Sequence, residues 1–155
     1  MNVDIEEIKA LPTLIAWRKE VIENVFGIVP SKRLLAANRA YYRQHIADGS
    51  HIAVMARLDN EDAGCGAICI TDELPSPDNP SGRCAYLMNI YVRSQYRGQG
   101  IGHAIVNRLI TLARQLNCGK IWLETTHDAC SLYQSVGFRT LSGIMKYEYS
   151  QNRES

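Results

Sequence analysis

Arg97-Gly98-Gln99-Gly100-Ile101-Gly102 decides how this chain is read. The three glycines leave little side chain between the backbone and a ligand. Before them, residues 84–92 form a largely apolar run, the pattern of a strand near the middle of a sheet. After them, Ile101, Ile105, Leu109, Leu112 and Leu116 recur on one face of a helix, which Cys118-Gly119 is expected to stop. The glycines therefore sit in a strand–turn–helix unit. Because they open a helix, several of their N–H groups lack intrahelical partners. Together with the helix dipole, those groups make an anion site. Taken alone, such glycines serve equally well as a tight turn.

Outward from this unit, the chain order follows from periodicity. A short strand is expected through Val3 and Ile5. Pro12 suits the first turn of a helix, and Leu14, Trp17, Val21, Ile22 and Val25 keep helical spacing up to Gly27. Ser31 is the expected N-cap of a second helix running to about Ala47. Residues 51–58 and 64–71 read as a hairpin about a turn at Asp59-Asn60-Glu61-Asp62. Pro75, Pro77, Pro80 and Gly82 make residues 72–83 a loop. Beyond the glycine unit, residues 120–125 predict a strand and residues 128–136 a short helix ended by Gly137. Residues 138–141 and 144–149 predict the last strand segments. Mixed strands with one strand–helix–strand crossover define an α/β domain with a mixed, mostly antiparallel sheet flanked by helices. The reading takes residues 1–155 as one domain with its core at about 3–149 and a frayed tail at 150–155.

A chain of 155 residues can bury one good core. Seventeen basic and 16 acidic residues give a net charge of +1, so bulk electrostatics favour neither nucleic acid nor a membrane surface. No apolar run approaches the roughly 20 residues that span a bilayer. The start, MNVDIEEIKA, is acidic and has no apolar signal core. The five cysteines (Cys65, Cys69, Cys84, Cys118 and Cys130) lack CxxC spacing and read as buried free thiols in a reducing, cytoplasmic setting. His45, His51, His103 and His127 are scattered without paired ligand spacing, so no metal is expected.

Two phosphate-binding fingerprints fail. A Walker-type loop needs Gly-Lys-Ser/Thr, which is missing here. The dinucleotide pattern G-x-G-x-x-G/A puts His103 or Ile105 at its last place, depending on register. What fits is Gln/Arg-x-x-Gly-x-Gly/Ala, at Arg97, Gly100 and Gly102. It follows a strand ending Ile90-Tyr91-Val92. Downstream come Leu132-Tyr133 and Gly137-Phe138, an L-Y-x-x-x-G-F element. In these two linked motifs the chain resembles the GNAT superfamily of acetyl-CoA-dependent N-acetyltransferases. The resemblance covers about residues 50–149, and the N-terminal helices by position only.

The resemblance implies acetyl transfer from acetyl-CoA to a primary amine by direct attack in a ternary complex. It implies that backbone N–H groups of Arg97, Gly98, Gln99, Gly100, Ile101 and Gly102 hold the coenzyme A pyrophosphate. Backbone groups of Ile90, Tyr91 and Val92 would pair with the pantetheine arm, in a splay between this strand and the next. A backbone N–H of the same strand would stabilise the tetrahedral oxyanion. Tyr133 is the implied general acid toward the departing thiolate, since a phenol stays protonated near neutrality. Packing is its alternative role, because Ala129, Leu132, Tyr133 and Val136 share a helical face. The general base stays open. Family members often place a glutamate where Tyr86 stands, and the candidates here are Glu124 or His127, with Glu73 and Asp78 in the proline loop. A water chain or an already neutral amine are alternatives. Thr125-Thr126-His127 occupies the place of an asparagine common in the family. Cys130 is the one thiol near enough in sequence to suggest a covalent route, and no adjacent base supports that. The acceptor site is expected around residues 26–42, with Tyr41, Tyr42 and Arg43, and around residues 72–83. A small-molecule amine is the expected partner, with a protein N-terminus or lysine, or a non-catalytic acyl-CoA sensor, as the alternatives. A homodimer is left open.

Overall fold

The computed structural model describes residues 2–150. Strands β1 (Val3–Ile8), β2 (His51–Leu58), β3 (Glu61–Asp72), β4 (Arg83–Val92) and β5 (Lys120–Leu123) form one sheet in the order β1-β2-β3-β4-β5. All neighbours are antiparallel except β4 and β5, which run parallel and are joined by a strand–helix–strand crossover through α3. Helices α1 (Leu11–Val21) and α2 (Lys32–Ala47) cover one face. Helices α3 (Ile101–Gln115) and α4 (Cys130–Val136) cover the other.

Local chemistry sets these elements. Pro12 lies in the first turn of α1, and Leu14, Trp17 and Val21 are its buried stripe. One π-turn, Ile22–Phe26, extends α1 to Gly27, which takes the left-handed conformation at φ 71°. The Ser31 hydroxyl accepts from the Leu34 N–H at 3.0 Å and caps α2, as expected. Asp59 and Asn60 both have positive φ, the geometry of a type I′ hairpin turn. Helix α3 buries Ile101, Ile105, Val106, Leu109 and Ala113 against the sheet.

Two expectations are corrected. Helix α3 is stopped by Asn117 rather than by Cys118-Gly119. Asn117 sits at φ 59°, its N–H reaches the Arg114 carbonyl, and the Cys118 N–H reaches the Ala113 carbonyl, both at 3.0 Å. That pairing is a Schellman stop, in which asparagine takes the place glycine more often holds. Residues 138–141 and 144–149 are not strands. They alternate as strands do, yet they join no ladder among the described residues, because β5 keeps its outer edge and nothing pairs with them.

The β3–β4 ladder is also irregular. Cys65 faces Tyr91 and Ala67 faces Met88, so Gly66 faces Asn89 and Ile90 together. Asn89 takes φ 57° to make this bulge. A side chain at Gly66 would begin 2.6 Å from Ile105, so glycine lets α3 lie flat across the bulge.

Candidate functional site

The glycine turn places Gly98 at φ 76° and Gly100 at φ 81°, and nothing lies within 4 Å of where a Cβ would sit on either. Glycine is required there by conformation, on an open surface. Gly100 is the N-cap of α3 and supplies no side-chain cap. The first helical bond runs from the Ala104 N–H to the Gly100 carbonyl at 3.1 Å. Among the described residues, none of the backbone N–H groups from Gly98 through His103 has a hydrogen-bond partner. Residues 93–104 contain Arg93, Arg97 and His103 and no acid. This donor set fits a pyrophosphate. Gly102 has a second duty: a Cβ there would meet Leu132 at 3.3 Å, so its bare Cα lets α4 pack on α3.

The turn is held rigidly. Arg93, at its start, donates from Nε and the other arm of its fork to both Glu20 oxygens at 2.9 Å. Its remaining terminal nitrogen donates to the Asp62 carbonyl at 2.9 Å, and its guanidinium lies 4.8 Å above the Trp17 ring. Arg97 folds back and donates from Nε to the Val92 carbonyl at 3.0 Å. Its side chain therefore fastens the loop to the strand end.

β4 and β5 pair only from Cys84↔Lys120 to Leu87↔Leu123. Among the described residues, no strand lies on the β5 side of residues 88–92, including Ile90, Tyr91 and Val92, so the two strands part there. The Asn89 bulge lies at the point of parting. Its side-chain oxygen accepts from Arg18 of α1 at 2.7 Å, and the Arg18 Nε also donates to Asn38 of α2 at 3.3 Å. Neither the bulge nor Arg18 was singled out in the sequence. An asparagine inside an otherwise apolar strand is poor β-former chemistry and tolerates left-handed backbone, and that was the available signal.

Tyr133, Glu124 and Cys130 line one cavity of about 310 Å³ beside β5, together with Trp122, Thr125 and Phe138. Burial raises the Tyr133 phenol above its ordinary range, so it is protonated at neutral pH. Its ring meets Phe138 edge-on at 6.0 Å, and no described residue hydrogen-bonds its hydroxyl. Packing and an available proton thus coexist. The Glu124 carboxylate is near the Tyr86 hydroxyl. Burial, and then that carboxylate, raise Tyr86. The Tyr86 and Trp122 rings meet at a tilt of 53° with centroids 4.6 Å apart. An acid one residue past the end of β5, which stops at Leu123 rather than at the expected residue 125, therefore stands beside the β4 position where the resemblance led one to look for a glutamate.

The other candidates lie elsewhere. His127 is exposed in a 3-10 turn, His127–Ala129, and does not line the cavity. Glu73 is engaged: Asn79 and Lys120 each donate to it at 3.2 Å and hold its carboxyl below the usual range. Asp78 is exposed in the loop. Tyr42 is a core residue, 4% exposed. Tyr41 is half-buried, with its hydroxyl 2.9 Å from His51 Nδ1 and 3.3 Å from Cys69 Sγ. Arg43 is exposed. All five cysteines are free, with Cys65 and Cys84 buried. Among the described residues, no group of three or more His, Cys, Asp or Glu side chains is placed to hold a metal ion. No helix among them is long and apolar enough to cross a membrane.

A profile of the acetyltransferase (GNAT) family matches residues 15–138, and the chain belongs to that family. Thialysine N-epsilon-acetyltransferase of Sus scrofa is 31% identical over 96 residues, covering 48% of this chain and 56% of that one. N-acetyltransferase 8F1 of Rattus norvegicus is 37% identical over 82 residues, covering 50% and 37%. The matches thus span about half or less of these curated relatives. Among solved structures, a predicted acetyltransferase with acetyl-CoA from Clostridium acetobutylicum aligns with a TM-score of 0.84 at 23% identity, over 95% of this chain and 96% of that one. A GCN5-related N-acetyltransferase from Ralstonia eutropha JMP134 aligns at 0.77 and 19%, over 95% and 99%. These two likenesses establish the fold.

Proposed function

We propose that this chain transfers the acetyl group of acetyl-CoA to the primary amine of a small molecule, by direct attack in a ternary complex. The observation that carries the reading is the run of unpartnered N–H groups from Gly98 through His103, set where β4 loses its neighbour. Those groups hold the pyrophosphate. The open side of residues 90–92 pairs with the pantetheine arm as an added strand would. Acetyl-CoA supplies the activated acetyl thioester.

The remaining work falls to side chains. Glu124, beside Tyr86, is the favoured base: it takes the proton an alkylammonium must lose before attack. Tyr86 and Trp122 offer an aromatic surface next to that carboxylate, which suits an alkylammonium through its charge. Tyr133 gives its proton to the departing thiolate. The bulge at Asn89, pinned by Arg18, lies where β4 and β5 part; a backbone N–H of β4 there stabilises the oxyanion charge. A relative named for thialysine supports an aminoalkyl acceptor of modest size. Incubating the chain with acetyl-CoA and pooled alkylamines, amino acids, aminoglycosides and peptides, with products read by mass, tests this. An acetylated small amine is expected. Acetylated peptides alone would move the acceptor to protein, and coenzyme binding without thiol release would leave a sensor.

A further inference from the structure

Arg18 of α1 is half-buried, and it reaches the point where β4 and β5 part. One terminal nitrogen donates to the Asn89 side-chain oxygen at 2.7 Å, and Nε donates to that of Asn38 at 3.3 Å. The Asn38 amide in turn donates to the Leu34 carbonyl at 2.7 Å, which directs its oxygen to the guanidinium. Both partners of Arg18 are neutral. Among the described residues, no carboxylate forms an ion pair with it. The one acid of α1, Glu20, gives both its oxygens to Arg93. The Arg18 charge therefore stands uncompensated, and it helps to push down the pKa of the buried His51.

A guanidinium fork carries five N–H donors. The two contacts leave the second terminal nitrogen without a partner among the described residues, and that atom keeps access to solvent. The Phe26 ring, 61% exposed, flanks the fork at 5.8 Å. A planar fork with open donors matches a carboxylate. The coenzyme does not supply that anion, because its thioester and the pantetheine arm beside residues 90–92 are uncharged and its pyrophosphate belongs to the glycine turn.

The proposed base lies on the same side of the sheet. Tyr86 stands opposite Cys69, which meets Tyr41 of α2, and Met88 packs against the core beneath α1. Glu124, near Tyr86, and Arg18, at Asn89, thus mark the two ends of three residues of β4, a span of roughly 10 Å. One small molecule can meet both.

We propose that Arg18 sets the acceptor specificity by binding a carboxylate of the acceptor, so that the amine acetylated is that of an amino acid rather than a simple alkylamine. The proposal rests on the acetyl-transfer reading above and narrows its acceptor.

The test compares three forms of each acceptor: the common amino acids and 2-aminoethylcysteine, their uncharged amides, and the amines left by decarboxylation. For the amino acid used best, kcat/KM is expected to exceed that of its amide and its amine by about tenfold or more, chiefly through KM. Arg18→Gln can still donate toward Asn89 but carries no charge, and it is expected to bring the three forms to within about twofold of one another. Arg18→Lys keeps the charge without the fork and is expected to retain part of the preference. If Arg18 serves only to hold the bulge, Arg18→Gln slows all three forms alike and leaves their ratio unchanged, which overturns the proposal. Equal or better use of the amides and amines by the unaltered protein also overturns it, whether or not a variant folds. Such a result leaves acetyl transfer to amines standing, whereas acetylation of no amine at all removes both readings.

Discussion

Acidification should destabilise this protein through one imidazole. His51 is 3% exposed at the start of β2. Its Nδ1 shares the Tyr41 hydroxyl and faces Cys69, and its buried Nε2 has no hydrogen-bond partner among the described residues. Burial first, then the charges of His45 and Arg18, push its pKa down to about 4. In the unfolded chain it returns to about 6.5. Between those values the unfolded chain binds the proton and the folded one does not. Stability therefore rises with pH across that window, and is lost as pH falls from about 6.5 toward about 4. Integrating the linkage from about pH 7 to about pH 5 gives a loss of about 2 kcal/mol from this residue. The assay is urea unfolding at both pH values for the wild type and for His51→Gln, which keeps a polar partner for Tyr41 and cannot titrate. Carboxylates that titrate lower act alike on both proteins, so the difference in slope belongs to His51. Coincident slopes, or an imidazole titrating near its ordinary value in the folded protein, refute the burial argument.

Four further outcomes are expected. Gly100→Asp combines left-handed strain of about 1 kcal/mol with a negative charge at the anion site, and acetyl-CoA affinity falls by about tenfold or more, whereas Gly100→Ala carries the strain alone and loses less. Calorimetry that finds the two variants equal removes the pyrophosphate from this loop. Tyr133→Phe lowers kcat by roughly 10²-fold with little change in the KM for acetyl-CoA, and normal turnover would reduce Tyr133 to a packing residue. Cys130→Ala keeps its turnover; a folded, inactive variant would favour a covalent route instead. Glu124→Gln lowers kcat by roughly 10²-fold and recovers part of it at alkaline pH, where the acceptor amine sheds its own proton, whereas His127→Ala does neither.

The parts of the molecule written in local chemistry were readable in advance. The Ser31 cap, the Asp59-Asn60 turn and the glycine unit each follow from what a few adjacent residues can do. What escaped reading depends on residues far apart in sequence. The carboxylate sought on β4 comes from Glu124, just past the end of β5, which comes near Tyr86 only because the crossover makes β4 and β5 neighbours. Asn89 owes its fixed side chain to Arg18, more than seventy positions earlier. The C-terminal strands show a related limit. Alternation announces a segment able to be a strand, but a strand exists only beside another, and no periodicity names the neighbour. Asn117 was passed over for Gly119 because asparagine enters the left-handed region less often than glycine.

The bulge at Asn89 changes parity. On β4, Leu87 belongs with the α3 side and Met88 with the α1 side. Past Asn89 the assignment inverts, with Tyr91 meeting Trp17 on the α1 side and Ile90 and Val92 on the α3 side. One inserted residue thus decides which side of the domain every later β4 residue serves. Exchange of Asn89 for another side chain leaves that count intact. Deletion of a single residue between Met88 and Ile90 does not: it turns Tyr91 toward Ile105 and delivers the glycine turn rotated by half a pleat. The proposed coenzyme half of the site is therefore keyed to a length, and length is what insertions and deletions alter and substitutions do not.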